Sequence, residues 1–286
     1  MSGYRKNELL TAWDIVANVE NWWAGWDLRL RRQARPELLR LRNGVSLICR
    51  GGTRDWDIVQ EVFFVGAYTL AMDFLRRQPG DPTVLDLGGN IGLFSLLAAS
   101  TNPRCRIHAF EPGPPNHDLF ESNRLLNPHA AGRITLTREA AGGESRETEW
   151  FFDAANPGGS SLFAATGEKF PVKIRAFREI LAEIPGEIAL VKFDIEGSEY
   201  ELLESAPADF WHRVGAVVIE LHDDPRSRSK FGKTSRNVPQ PQFLRPTRKR
   251  RVPFFEAGNV KLETGNERRP LWPTFSTSIF RCEIAR

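Results

Sequence analysis

Two short runs, IALVKF (Ile188–Phe193) and AVVIEL (Ala216–Leu221), constrain the fold more than anything else in the chain. Each is apolar at nearly every position, so neither has a polar face to turn toward water. Strands of that kind are buried on both sides, as in parallel sheets wrapped by helices. The surrounding pattern agrees. From Thr83 onward short apolar runs (Thr83–Leu87, Arg106–Phe110, Ile134–Thr137) alternate with stretches of helical period (Ile91–Ser100, Pro115–Leu126, and about Ser198 to Glu204). The expectation is an α/β fold, a doubly wound Rossmann-like sheet.

The flanks read differently. Thr11 to about Gln33 carries Ile15, Val19, Trp22, Trp23, Trp26 and Leu30 at spacings of three and four, and Thr11 with Asp14 resembles a capping box. This predicts one amphipathic helix whose stripe packs on the main domain; a sugar platform, a membrane face or a dimer contact is the alternative use. Val45–Cys49 reads as a strand, and Asp57–Leu75 as a helix with a break at Gly66. Glu149–Asp153 and Phe170–Phe177 suit an inserted hairpin, joined by the glycine-rich NPGGSSLF (residues 156–163) as a lid or linker. Four segments follow: a helical extension over 1–80 that covers the ligand site, an α/β core over 81–224, a proline-rich basic loop or tail over 225–273, and a closing strand over 274–286.

The chemistry concentrates in Val84–Leu97, VLDLGGNIGLFSLL. A buried strand ends at Asp86, a glycine turn follows, and a helix begins near Ile91. In open parallel sheets ligands bind beyond the carboxyl ends of the strands, where this turn lies. Gly88 and Gly92 permit tight turning and close approach of a ligand, while Asn90 tolerates unusual backbone angles. The pattern is DxGxNxG (Asp86, Gly88, Asn90, Gly92). It is neither the GxGxxG of dinucleotide sites nor the GxxxxGK[ST] of a P-loop. An acidic residue at the loop repels phosphate and suits an ammonium or sulfonium. Glu111, in HAFEP at the end of the second core strand, can accept hydrogen bonds from ribose hydroxyls. Together these favour S-adenosyl-L-methionine, with a nicotinamide dehydrogenase as the disfavoured runner-up.

VLDLGGNIGLFS, AFEPGPPNHDLFESNRLLN, LVKFDIEGSEYELL and VVIELH, in that order, resemble the FkbM family of methyltransferases that depend on S-adenosyl-L-methionine. The resemblance covers about residues 53–222, including the lead-in TRDWDIVQEVFFVGAYTL, and DIEGSEYELL is its most specific piece. It implies a class I methyltransferase fold of about seven strands with the cofactor over the first two. It also implies O-methylation of hydroxyls on natural products, sugars or glycolipids. One departure is Ala176-Phe177-Arg178, where many relatives carry Ser/Thr-Leu-Asp. The expected cofactor contacts are Asp86, Gly88, Gly89, Asn90, Gly92, Glu111, Pro112, Ala140, Asp194 and Tyr68, the last because the lead-in helix covers the pocket in the family.

Methyl transfer to oxygen needs alignment of the acceptor, removal of its proton and exclusion of water. Candidates lie at the ends of the fourth and fifth core strands: Asp194 to touch cofactor or acceptor, Glu196 to orient the acceptor, and His222 as the base. Helix capping is the alternative role for the two carboxylates. A metal held by Asp194, Glu196, Glu220, His222 and Asp223 is conceivable, but nothing in their spacing demands it, and none is assigned.

Charge narrows the partners. The net charge is +3, yet residues 226–251 hold ten Lys/Arg and no Asp or Glu, leaving 29 basic against 36 acidic residues elsewhere. A generally basic, nucleic-acid-binding body is disfavoured. The basic segment serves as a solvated tail or as a reader of an acidic acceptor; recruitment of RNA is the weakest alternative. A silent S-adenosyl-L-methionine-binding scaffold is the competing non-enzymatic reading. The partner is therefore a small-molecule or glycan acceptor, and a homo-oligomer is compatible with the aromatic stripe. Cys49, Cys105 and Cys282 form neither a disulfide framework nor a CxxC metal pattern. No signal-peptide pattern and no run of about 18 apolar residues is present, so the expected location is cytoplasmic.

Overall fold

The computed structural model describes residues 12–30, 35–152, 168–195, 198–207, 209–220, 254–256 and 282–283. The chain opens with two helices, α1 (Ala12–Asn18) and α2 (Trp22–Leu30), and a two-stranded antiparallel sheet of β1 (Pro36–Arg40) and β2 (Ser46–Arg50). Then come α3 (Asp55–Val59), a π-helical turn (Gln60–Val65) and α4 (Thr69–Arg76). The break between the π turn and α4 falls at Gly66, whose φ of 73° is left-handed, as the sequence predicts.

The core follows as β3 (Thr83–Leu87), α5 (Leu93–Thr101), β4 (Arg106–Phe110), α6 (Pro114–Leu125), α7 (Pro128–Ala131) and β5 (Ile134–Thr137). An insertion of β6 (Ala140–Gly142), β7 (Arg146–Phe152) and β8 (Glu168–Ala176) folds into its own three-stranded sheet, with β7 and β8 the expected antiparallel pair. The core resumes with α8 (Phe177–Glu183), β9 (Ile188–Phe193), α9 (Glu199–Ser205), α10 (Phe210–Arg213) and β10 (Val214–Ile219). Two short strands, β11 (Phe254–Glu256) and β12 (Cys282–Glu283), complete the described residues.

Among the described residues the main sheet has seven strands, in the order β12-β11-β10-β9-β3-β4-β5. The five from β10 to β5 are parallel, and β11 runs antiparallel to β10. β3 pairs with β4 on one side and with β9 on the other, so strand order reverses at β3, which opens a crevice at the carboxyl ends there. Alternate strand residues enter opposite cores. Val84, Leu190 and Ala216 pack with Leu75 of α4 and Leu96 of α5. Leu85, Val191 and Val217 pack with Phe177 and Leu181 of α8 and Phe210 of α10. The doubly wound α/β fold is what the apolar runs require, because both faces of each strand are covered.

The N-terminal helix departs from the expectation. It is broken at Val19, which forms a β-bridge with Leu41. Ile15 and Val19 are buried, but Trp22, Trp23 and Leu30 are exposed, so only half of the aromatic stripe packs inward. Thr11, NPGGSSLF and the basic run 226–251 lie outside the described residues. Among the described residues no single helix is long and apolar enough to cross a membrane.

Asparagine side chains tie the two-stranded sheet to its surroundings. On its β1 edge, Asn21 Nδ2 donates to Leu38 O at 2.7 Å and Asn21 Oδ1 accepts Arg40 N–H at 2.8 Å. On its β2 edge, Asn123 of α6 accepts Ile48 N–H at 2.6 Å, and Asn127 accepts Ser46 N–H at 2.9 Å. The amide nitrogens of Asn123 and Asn127 return to Ile48 O and Ser46 O. A side-chain amide carries the same donor and acceptor as a peptide group, so Asn123 of α6 and Asn127 just beyond that helix play the part of a third strand.

Candidate active site

The loop after β3 is shaped by what surrounds it. Gly88 has φ 83°, and a Cβ there would lie 1.8 Å from Asp194 O, so this position admits glycine alone. Gly92 has φ 91° and turns against the ring of Phe120. Between them Asn90 sits at φ 49°, a left-handed conformation that Asn tolerates better than most residues. Asp86 is wholly buried. Its Oδ2 accepts Ser95 Oγ–H at 2.7 Å, and Lys192 Nζ approaches its Oδ1 at 3.4 Å.

Lys192 is the residue the sequence reading missed. It stands in β9 opposite Asp86 in the parallel register, and its Nζ donates to Gly88 O at 2.8 Å and pairs with Asp194 Oδ2 at 3.1 Å. Burial alone would lower its pKa, but Asp194 and Asp86 outweigh burial and hold it above the ordinary lysine value. Lys192 therefore stays charged, a clamp joining the glycine loop to the ends of β3 and β9. The visible signal was a lone lysine in an otherwise apolar strand, two residues before Asp194 and hence on its face.

Glu111, at the end of β4, is almost fully buried. Its Oε2 accepts Asn90 N–H at 2.8 Å and its Oε1 accepts Gly113 N–H at 2.9 Å. Burial pushes its pKa up to about 7, against the opposing pull of those two N–H groups, Lys192 and an Asn116 hydrogen bond. Tyr68 is buried with its ring edge-on to Phe94 at 5.0 Å. Burial, then the negative charges of Asp194 and Glu220, raise its pKa, so the phenol stays protonated and can donate. Asp194 is only partly covered, its side chain 25% exposed. Ile195 N–H donates to the buried Glu199 Oε1 at 3.2 Å, which fixes the turn after β9.

Asp86, Gly88, Gly89, Asn90, Gly92, Glu111, Lys192, Asp194 and Tyr68 thus converge on the carboxyl ends of β3, β4 and β9. Pro112 follows Glu111 in the turn into α6, and Ala140 opens β6, paired with Ile174. Glu196, His222 and Asp223 lie outside the described residues.

The chemistry of this donor set suits a nucleoside carrying an amino-acid tail. Among the described residues Asn90 Oδ1 is buried without a hydrogen-bond partner, an acceptor matched to an ammonium. Glu111 keeps acceptor capacity for a ribose hydroxyl. Among the described residues, Asp86, Glu111 and Asp194 make the site acidic around the single cation Lys192.

Comparisons with known proteins agree. A family model described as the methyltransferase FkbM domain matches residues 86–249. Methyltransferase 1 of Beauveria bassiana is 28% identical over 188 residues, 58% of this chain and 73% of that protein. The 31-O-demethyl-FK506 methyltransferase FkbM of Streptomyces tacrolimicus is 28% identical over 217 residues, 65% of this chain and 82% of that protein. Among solved structures, a methyltransferase FkbM from Methylobacillus flagellatus is 19% identical, with a TM-score of 0.38, covering 57% of this chain and 36% of that one. The match over more than half of the sequence, on a site whose residues fit the ligand, settles the family: this chain belongs to the FkbM methyltransferases, and S-adenosyl-L-methionine is its cofactor.

Proposed function

We propose that the chain methylates a hydroxyl oxygen of a small-molecule or glycan acceptor. When bound, the cofactor supplies an electrophilic methyl group on a sulfonium. Glu111 holds the ribose, and Asn90 accepts from the amino-acid end. The observation that carries the oxygen assignment is the partly open carboxylate of Asp194, beside a phenol and the Glu220 carboxylate. Carboxylates at the acceptor side receive hydrogen bonds from a hydroxyl and orient its lone pair. The Streptomyces tacrolimicus relative, whose name specifies an O-methyl position, supports the same reading.

Tyr68 and Lys192 hold their protons too firmly to serve as the base, which leaves the ends of β9 and β10 to supply it. Imidazole is the side chain whose reference pKa, about 6.5, suits taking a hydroxyl proton near neutral pH, so His222 is assigned that role, and Glu196 orients the acceptor. The protein's own contribution is alignment, water exclusion and removal of one proton. Incubation of hydroxylated acceptors with cofactor carrying a ¹³C-methyl tests this. A product methyl with the chemical shift of an ether carbon supports oxygen transfer, and an N-methyl or C-methyl shift refutes it. His222→Ala lowers turnover and leaves S-adenosylhomocysteine affinity unchanged; equal turnover removes His222 from the mechanism.

A further inference from the structure

Glu111 is joined to the N-terminal sheet by a chain of polar groups that the cofactor site does not itself require. Arg50, the last residue of β2, grips Asp55 at three points. Its backbone N–H and Nε donate to Oδ2 at 3.0 and 2.9 Å, and Nη2 donates to Oδ1 at 3.0 Å. Asp55 is wholly buried, and the three donors from Arg50 replace the water its carboxylate has lost. The same Nη2 donates to Asn116 Oδ1 at 2.9 Å. Asn116, also buried, lies in the first turn of α6 and hydrogen-bonds Glu111 through its side chain.

The order of these groups dictates their polarity. A guanidinium can only donate, so it fixes which end of the Asn116 amide is oxygen. The amide nitrogen is then the end left to face the Glu111 carboxylate, and it too can only donate. Asp55 orients Arg50, Arg50 orients Asn116, and Asn116 orients Glu111. Strand β2 is itself held by the side chains of Asn123 in α6 and of Asn127 just beyond it, which fixes the spacing of β2 from the helix.

We propose that Arg50 is a positioning residue for the cofactor, acting through Asn116 to aim the Glu111 carboxylate at the ribose. This rests on the reading of Glu111 as the ribose acceptor. It gives the β1–β2 sheet a binding role: a change there is transmitted to cofactor affinity without any contact with the cofactor.

The test is calorimetry of S-adenosylhomocysteine on the full chain across pH, for Asn116→Ala, Arg50→Met and Glu111→Gln, with thermal melting to verify folding. Arg50→Met strands a buried Asp55, so Arg50→Met is also combined with Asp55→Leu. In Asn116→Ala and in the Arg50 variants affinity falls about tenfold, the loss of one hydrogen bond to a charged group. The pH midpoint of binding also moves upward, because a donor to the ionised carboxylate is gone while Lys192 and the Asn90 and Gly113 N–H groups remain. A merely structural role leaves that midpoint in place. Unchanged affinity in folded Asn116→Ala overturns the proposal, and so does weaker binding with an unmoved midpoint. If Glu111→Gln binds as tightly as the native chain, the ribose assignment falls and the proposal with it. If Glu111→Gln weakens binding while the other variants do not, only the proposal falls.

Discussion

The raised pKa of Glu111 makes cofactor binding a titration. Burial holds this carboxyl near 7 in the free protein, against an ordinary 4.5. Its ionised fraction is about nine-tenths at pH 8 and about one-tenth at pH 6. A ribose hydroxyl donates more strongly to the charged carboxylate, so binding favours the ionised form and releases a proton wherever the free protein holds one. The affinity for S-adenosylhomocysteine should therefore be nearly flat above pH 8 and fall about tenfold by pH 6. Folding runs with the opposite sign. A carboxyl whose folded pKa is raised binds its proton more tightly in the native state, so stability declines as pH rises from about 4.5 to about 7, by roughly 3 kcal/mol at most. Glu111→Gln keeps the shape and removes the charge. It should abolish both slopes and weaken the ligand at pH 8, while its amide nitrogen, facing either the Asn90 or the Gly113 N–H, gives up one backbone hydrogen bond. The assay is calorimetry at pH 6, 7 and 8 in buffers of different ionisation enthalpy, which counts the proton directly. Equal affinity at pH 6 and pH 8 in the native chain refutes the reasoning, and a slope that persists in Glu111→Gln assigns the proton to another group.

Two further outcomes follow from the clamp and from the asparagines. Lys192→Met leaves Asp86 buried opposite an apolar side chain and frees the Gly88 carbonyl. It should cost about 3 kcal/mol in chemical denaturation and abolish S-adenosylhomocysteine binding, and a variant of native stability would disprove the clamp. Asn123→Ala removes partners from Ile48 N–H, Ile48 O and Ile91 O together. A loss of about 3 kcal/mol is expected, with faster amide exchange at Ile48 as the site-specific readout.

The core was legible because its signals are local. A strand buried on both faces must be apolar at nearly every position, and a loop that presses on the Asp194 carbonyl must have glycine at Gly88. Those requirements write themselves into consecutive residues, so strand limits such as Thr83–Leu87 and Ile188–Phe193 coincide with the sequence reading. The N-terminal region fails that condition. Its apolar spacing suits one long helix, but the chain breaks where Val19 bridges Leu41 and Asn21 reaches β1, and both partners lie about twenty residues away. β1 itself was not read, because PELLR shows no alternation and its pairing partners are the backbone of β2 and one asparagine.

The same distinction explains why Lys192 and the asparagines escaped notice as parts of the site. A lysine within an apolar strand breaks its pattern, and the break is the information. The ammonium is tolerated there only because Asp86 and Asp194 end the flanking positions and Gly88 O completes its shell. On α6 the anomaly is subtler. Asn116, Phe120 and Asn123 recur on one face of this helix, Asn127 follows just past its end, and all four are buried. Asparagine is a weak helix former, and a buried face built from it is unfavourable unless each amide is matched. A helix that packs on side chains has no use for such a face, whereas a helix that packs on the open edge of a strand needs it. Buried asparagines at helical spacing are thus a sequence signature for a strand edge next to a helix, and here that edge ends at Arg50. Through Arg50 and Asn116 that edge is hydrogen-bonded to Glu111, which is the path by which the proposed positioning of the carboxylate would run.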